Sequence, residues 1–375
     1  MPDSFSEMRK RNAQRVLELV RQHGELSRAD LARLADLSKA TVSSITAELI
    51  ESDLLRETGS ITTEKGRRPV GLVFNPLGKV ALGISIDDQR NVIVAVTDMD
   101  GRLLESHGGR LNGSVDRESL ERIVDGAPLD RKRLCATGLA IPGSLPANEN
   151  DVFKRVSTEL GDGLKRQMHL QSLVDMAAIA EAHAERLPAD RLVLFIRTSH
   201  RLRSTLLYSN RLLSTHGDSG GEPGHVMAPW ITDTCSCGLT GCVNAHCGNA
   251  DVLRRARERG LAVESVDALV EAARGAGNEV AQLVVRDAGR AVGYAIGGLI
   301  NVLAPVTVIV SGSLTAAGDL FFDDLYDAVR KYAKERSYAC SEVKPSALGA
   351  NSAAIGAAIY ALANTATIYE TDGQG

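Results

Sequence analysis

"GHVMAPWITDTCSCGLTGC", from Gly224 to Cys242, gathers His225, Cys235, Cys237 and Cys242 into nineteen residues of a chain with six cysteines. Thiols at C-x-C-x4-C spacing, ten residues after a histidine, can cross-link as disulfides or hold a metal ion. One histidine and three thiolates are a donor set that closed tetrahedral zinc sites use. Gly238 and Gly241 lie between Cys237 and Cys242, where the chain must fold back and positive φ is expected. The first residues, "MPDSFSEMRKRN", lack the apolar stretch of a secretory signal, and no eighteen-residue apolar run appears. A reducing, cytoplasmic compartment without membrane contact is therefore expected, where clustered thiols hold metal more often than they form disulfides.

The loop must be positioned by something. At 375 residues, with 44% hydrophobic and 24% charged residues, the chain is long enough for two or three ordinary globular domains. Its net charge of −4 argues against general affinity for polyanions, so any nucleic-acid contact has to be local. Residues 1–74 carry twelve basic and eleven acidic side chains, so the position of the positive residues matters more than their number.

Val16, Leu17, Leu19 and Val20 fit one face of a helix from Met8 to His23, ended by Gly24. In "SRADLARLADLSKATVSSITAELIESDLL", Ser27 suits the N-cap of a short helix with Leu31 and Leu34 inward. After a turn through Asp36, Ser38 caps a second helix that turns Val42, Ile45 and Leu49 inward. Lys39, Ala40, Ser43 and Ser44 then face outward, and with Thr41 they are the candidate DNA contacts of a helix-turn-helix. The following "LLRETGSITTEKGRRPVGLVFN" reads as two strands around a basic tip, a wing. Its Lys65, Arg67 and Arg68 suit a narrow A·T-rich minor groove. Residues 1–75 are read as a winged helix-turn-helix domain with an operator in double-stranded DNA as its partner.

The remainder, 76–375, is α/β. "KVALGISIDDQRNVIVAVTDMDGRLLESHG" gives two apolar strands and the start of a third, and "LCATGLAIPGSL" gives another. "MAAIAEAHAERL" is helical, "RLVLFIRTSHRLRSTLLYSNRLL" a strand pair, and "VAQLVVRDAGRAVGYAIGGLINVLAP" a long helix feeding the strand "VTVIVSG". "ANSAAIGAAIYALANT" closes the chain as a small-residue helix. Strands followed by alternating helices, met twice, suggest a two-lobed actin-like (ribonuclease H-like) sugar-kinase fold. Lobe 1 spans about 76–182 plus the C-terminal helix, and lobe 2 about 183–355.

"GLAIPG" at 138–143, "GGEPGH" at 220–225, "CSCGLTGC" at 235–242 and "INVLAPVTVIVSGSL" at 300–314 resemble the ROK family (repressors, open reading frames and kinases) over essentially the whole chain. The helix-turn-helix and its "GRRP" wing resemble the repressor branch. The resemblance implies one structural zinc per chain on His225, Cys235, Cys237 and Cys242, and a homodimer or dimer of dimers. Cys135 and Cys340 are left as plain core residues.

Two phosphate-binding stretches depart from the family pattern. Where kinases carry D-x-G-G-T, this chain has Ser85, Asp87, Asp88 and Gln89 within "GISIDDQRN". Two carboxylates facing a triphosphate repel it by about 1–4 kcal/mol per pair. The second, normally glycine-rich, loop reads "RTSHRLRST" without a glycine. No ATP and no catalysis are expected. Asp175 stands at the family's catalytic-base position, although it also suits the N-cap of a helix over 176–185. Glu222 and His225 match sugar-hydroxyl contacts, and Asn244 replaces a glutamate. Leu173 and Val174 replace two further polar residues, and the stretch from Gly143 to Asp175 is shorter than the family's. The expected function is a transcriptional regulator, a repressor controlled by a sugar or sugar-derived effector at Asp175, Glu222, His225 and Asn244. A sugar kinase with an appended DNA-binding domain, and a regulator that has lost sugar sensing, are the alternatives.

Overall fold

The computed structural model describes residues 5–60, 70–113, 115–143, 145, 147–188, 190–213, 221–274 and 278–365. Helix α1 (Phe5–His23) buries Ala13, Val16, Leu17 and Val20 and stops at Gly24, whose φ of 81° breaks the helical turn. Strand β1 (Leu26–Ser27) leads into α2 (Arg28–Ala35). The Ser27 hydroxyl accepts from the Asp30 N–H while the Asp30 carboxylate accepts from the Ser27 N–H, a reciprocal cap worth about 1 kcal/mol. Asp36, in the left-handed region at φ 56°, turns the chain. Ser38 then caps α3 (Lys39–Glu51) by accepting from the Thr41 N–H at 3.1 Å. Inside α2 the fully buried pair is Leu31 and Ala35, with Leu34 half-buried. The i,i+4 spacing, rather than i,i+3, aligns with the core.

Strands β2 (Leu55–Ser60) and β3 (Val70–Phe74) pair antiparallel, and β1 adds to the other edge of β3. These are the strands of the expected wing. Its tip, with Lys65, Arg67 and Arg68, lies outside the described residues.

The body repeats one layout twice. The first half runs β4 (Val80–Ile86), β5 (Asn91–Thr97), β6 (Leu103–Arg110), α4 (Arg117–Asp125), β7 (Leu134–Ile141), α5 (Ala147–Leu164), β8 (Met168–Ser172) and α6 (Leu173–Ala184). Its sheet has the order β6-β5-β4-β7-β8, antiparallel through β4 and parallel beyond it. The second half begins with β9 (Leu192–Thr198), β10 (Leu202–Tyr208) and β11 (Arg211–Leu212), followed by α7 (Asn244–Cys247), α8 (Asn249–Glu258), α9 (Val266–Arg274) and α10 (Glu279–Leu303). It ends with β12 (Val306–Gly312), α11 (Asp319–Tyr332), α12 (Glu335–Ala339), β13 (Glu342–Pro345) and α13 (Ser352–Asn364). The second sheet has the order β11-β10-β9-β12-β13, with the same change from antiparallel to parallel.

Helices α6 and α13 hold the halves together. Ala140, Met176, Ala177, Phe195, Ile309 and Ala357, drawn from both sheets and both helices, share one core. The backbone approach is close enough to require glycine. A methyl on Gly83 would sit 1.8 Å from the Ala354 carbonyl oxygen, and one on Gly356 would sit 1.7 Å from that of Met176.

The boundary near residue 75 separates sequence motifs but not cores. Leu17, Leu31 and Leu72 belong to the same buried cluster as Ala81, Met99, Cys135 and Ala358. Arg21 of α1 reaches Asp100 at 2.9 Å and the Met99 carbonyl at 3.2 Å, with its guanidinium 4.7 Å from the centre of the Phe74 ring. Buried Asn75 donates its N–H to Leu54 and its amide to Asp53.

Gly356→Ala should destabilise the chain by about 1–3 kcal/mol or more, because backbone must yield. Gly298→Ala, in α10 with open space around the new methyl, should be neutral or stabilising by up to about 1 kcal/mol. Urea denaturation of both variants checks this. Equal stability of the two would contradict the packing.

Candidate DNA-binding element, metal centre and interlobe cleft

Lys39, Ala40, Ser43 and Ser44 are exposed on α3, as its periodicity requires. Thr41 is half-buried, and its hydroxyl lies 2.8 Å from that of Ser38, so it belongs to the helix cap. A residue outside the sequence reading joins this face. Arg9 of α1 donates to the Ser44 hydroxyl at 2.8 Å and pairs with Glu48 of α3, neutralising a carboxylate on the outward side. Only the basic run at Arg9–Arg11 hinted at it. Arg28 ties α2 to Thr46 at 3.2 Å and to Glu57 of β2 at 2.8 Å, fixing helices and wing strands together.

The donor atoms of His225, Cys235, Cys237 and Cys242 all lie within 4.8 Å of one another. His225 Nδ1 is 4.0 Å from Cys235 Sγ, and Cys237 Sγ is 3.7 Å from Cys242 Sγ. Sulfurs held about 2.3 Å from a tetrahedral ion stand about 3.8 Å apart, so these dimensions fit one. The loop is built for this. Met227 and Thr234 form isolated bridges to Cys242 and Thr240, and Cys235 donates its N–H to Leu239 at 2.8 Å. Gly238 and Gly241 adopt φ of 90° and 97°, the left-handed values their spacing predicts.

Burial, and then the neighbouring Cys237 thiol, pushes the Cys242 thiol up to about 12, whereas hydrogen bonding from Leu239 lowers that of exposed Cys237. A cation would remove the conflict between crowded thiolates. Behind the loop His246 sits 3.0 Å from Asp233, which Arg254 also holds at 3.3 Å. Cys135 is buried as expected. Cys340 is exposed instead, because it follows α12 at the surface.

In the cleft between the lobes, Asp87 closes its own hairpin turn, accepting from the N–H groups of Gln89 and Asn91 at 2.9 and 2.8 Å. A cavity of about 460 Å³ opens beside it, lined by Asp88, Arg197, Asn249, Ser313 and Thr315 among others. Burial holds the Arg197 pKa below the usual guanidinium value, with Asp88 and Asp87 opposing that shift. A branch of only about 40 Å³ lies between Gly143, Leu173, Val174, Arg201 and Arg203.

Glu222 pairs with Arg203 at 2.7 Å and with His225 Nε2 at 3.2 Å, so two of the expected effector residues do meet. His225 thus turns Nδ1 to the thiols and Nε2 to Glu222. Asn244 is fully buried and accepts from the Leu202 N–H at 2.9 Å, which makes it a brace for β10. Asp175 is buried in the first turn of α6, and the N-cap position falls on Ser172, so the expected capping role of Asp175 is incorrect. The helix starts three residues earlier because β8 runs straight into it. The stretch from Gly143 to Asp175 folds mainly as α5 and β8 rather than as an open loop.

Residues 11–59 match the IclR helix-turn-helix domain and residues 90–364 match the ROK family. The chain is 27% identical over 349 residues to the putative xylose repressor of Caldicellulosiruptor sp. (strain Rt8B.4), covering 85% of this chain and 87% of that one. It is 25% identical over 362 residues to the DNA-binding transcriptional repressor Mlc of Escherichia coli (strain K12), covering 88% of each. A ROK family transcriptional regulator described as a homolog of the E. coli MLC protein superposes with a TM-score of 0.72 at 22% identity, over 97% of both chains. A ROK family glucokinase from Streptomyces griseus, solved with glucose and AMPPNP, gives 0.61 at 21% identity, over 75% of this chain and 99% of its own. The two-lobed body is thus shared with kinases, and the regulator's likeness extends through the N-terminal unit as well. Among the described residues no helix is long and apolar enough to cross a membrane. With its family match spanning most of the sequence behind an IclR-type helix-turn-helix, this chain belongs to the ROK family.

Proposed function

We propose that this protein is a DNA-binding transcriptional repressor of the ROK family, working in the cytoplasm as a homodimer or dimer of dimers, with a body that senses a ligand and does not phosphorylate it. The observation that carries this reading is the doubly capped helix pair, Ser27 on α2 and Ser38 on α3, which turns Lys39, Ser43 and Ser44 to solvent. Names of repressors among the full-length relatives support it. Against the kinase alternative stand the side chains at the two phosphate stretches. Glycine N–H groups approach phosphates closely, whereas the cavity beside these stretches is lined by Asp88 and Arg197, which supports a body that does not hold ATP. We assign the metal centre to one structural zinc per chain, since four protein donors leave no open position for catalysis.

The full chain should select a two-fold symmetric duplex from a random pool, with half-sites about 34 Å apart or a multiple of that. Lys39→Ala should weaken binding and reduce the salt slope by about 1. Arg67→Ala and Arg68→Ala should weaken it and relax A·T preference. Arg9→Ala should weaken it too, by leaving Glu48 unpaired on the DNA-facing helix. Failure to enrich any sequence would refute the regulator reading.

Elemental analysis should find one zinc per chain, and none in Cys237→Ser. In metal-free protein near neutral pH, an alkylating reagent should modify Cys237 well before Cys242. Cys242 should react more slowly, because it is buried and both burial and the neighbouring Cys237 thiol raise its thiol above the usual range. Added zinc should protect both. Alkylation unaffected by zinc would contradict the assignment.

A further inference from the structure

One end of the first sheet carries positive charge that the fold leaves unanswered. Strands β4, β7 and β8 run parallel and side by side. Each is entered through basic residues: Lys79 before β4, Lys132 and Arg133 before β7, and Lys165 and Arg166 shortly before β8. Neighbouring strands stand about 4.8 Å apart, so these cations form a stripe about 10 Å long. Lys132 and Lys165 are exposed, the other three are half-buried, and none forms an ion pair with a described residue. Arg133 donates to the Leu77 carbonyl, and Arg166 Nε donates to the Leu134 carbonyl at 3.0 Å. These bonds hold both guanidinium groups at the strand ends without neutralising them. Burial pushes the Cys135 thiol up to about 12, and Lys79 and Arg166 both oppose that shift, which places their charges around the start of β7. Among the carboxylates beside the stripe, Asp125 pairs with Arg131 at 2.6 Å and Asp130 closes its own turn by accepting from the Lys132 N–H at 3.0 Å. Asp162 lies with Lys165 and Arg166 along a surface groove. Asp130 and Asp162 do not balance five cations, and in a chain of net charge −4 composition does not demand this concentration.

The stripe begins where the DNA-binding unit ends. Gly78, next to Lys79, packs on the turn that follows α3, where a methyl would sit 1.9 Å from the Asp53 carbonyl oxygen. Leu77, which Arg133 grips, lies in the short segment joining the unit to β4. Beneath that segment Leu17, Leu31 and Leu72 share a buried cluster with Ala81, Cys135 and Ala136, so the strand ends are fixed relative to α3. Duplex DNA carries a charge about every 1.7 Å of its axis, and a stripe about 10 Å long meets several phosphates. Contacts to phosphate need positive charge and reach rather than a pattern of base-reading groups, which is what lysines and arginines on an open surface supply.

We infer that this end of the body is a second DNA contact, in which Lys79, Lys132, Arg133, Lys165 and Arg166 hold the phosphate backbone of the duplex flanking the site that α3 reads. This rests on the DNA-binding reading above and extends it from the helix-turn-helix to the body. The stripe lengthens the footprint on DNA and adds affinity without adding sequence preference.

The test is fluorescence anisotropy of the full zinc-loaded chain on a duplex selected from a random pool. That duplex is used either trimmed to the selected site or extended on each side by about ten base pairs, one helical turn, of scrambled sequence. The unaltered chain should bind the extended duplex at least about tenfold tighter than the trimmed one, whatever the flanking sequence, and with a steeper salt slope. Lys132→Gln combined with Lys165→Gln, both at exposed positions, should remove most of that gain. The salt slope on the extended duplex should fall by about 2 per protomer, one for each lost phosphate contact, while affinity for the trimmed duplex stays unchanged. Lys132→Arg combined with Lys165→Arg should keep the gain. An extension that adds nothing, a gain that survives in the glutamine variant, or an equal loss on both duplexes would each overturn the inference. Binding of poly-glutamate that depends on the two lysines, with no response to the flanks, would overturn it too and assign the surface to an acidic protein. Retained binding of the trimmed duplex leaves the regulator reading intact when the stripe fails, whereas a chain that selects no duplex at all sinks both.

Discussion

Helix α13 lies so close to its neighbours that side chains are excluded from the contact. It meets β4 at Gly83, β7 at Gly138 and α6 through its own Gly356, and at each point a single methyl would strike backbone. Interiors packed this tightly do not deform smoothly, and they shift between discrete arrangements instead. The same helix contributes Ala353 and Ala357 to the core between the lobes, and Ala358 and Ala361 to the core beneath the DNA-binding unit. One element therefore touches every part whose relative placement matters to regulation.

Helix α6 supplies the complementary connection. Leu173 and Val174 in its first turn line the arginine-rich branch of the cleft. Near its other end, fully buried Glu181 accepts from the N–H groups of Ala347 and Leu348 and from the Ser346 hydroxyl, binding the helix to the second lobe. Two residues on, His183 Nε2 lies 2.7 Å from the Asp100 carbonyl oxygen, and the Asp100 carboxylate pairs with Arg21 of α1. The pair with Arg21 is more than a third exposed, so by itself it contributes little stability. It adds to the buried contacts of Val16, Leu17 and Val20 with Met99 and Ala358, which seat α1 on the body. A ligand that favours one lobe arrangement would reach the DNA-binding face through these contacts.

The legible parts of this molecule were those governed by near neighbours in sequence. Ser27 and Ser38 could be read as caps because a cap bonds only three residues ahead. The metal loop was readable from spacing and from glycines that have to take positive φ. Strand pairs around Asp87 and Asp98 were readable for the same reason. What escaped was set by contacts distant in sequence. Arg9 meets Ser44 and Glu48 across two helices, contacts that the basic run at Arg9–Arg11 hints at without specifying. Asn244 matched a ligand position by alignment of motifs, yet its amide braces Leu202 forty-two residues away. Asp175 lost its expected capping role because β8 delivers the chain directly into α6. The arginines of 197–203 could be read as a loss of glycine, but their convergence on one small cavity required the fold.

The DNA-binding unit and the first half of the two-lobed body share one buried core, so the two should respond as one cooperative structure. Hydrogen exchange of the full chain, with and without a duplex selected from a random pool, tests it most directly. Binding should slow exchange in α3 and, beyond the contact, in the turn at Asp98–Gly101 and the last turn of α6. Slowed exchange confined to α3 and the wing strands, with nothing changed past Asn75, would contradict the account.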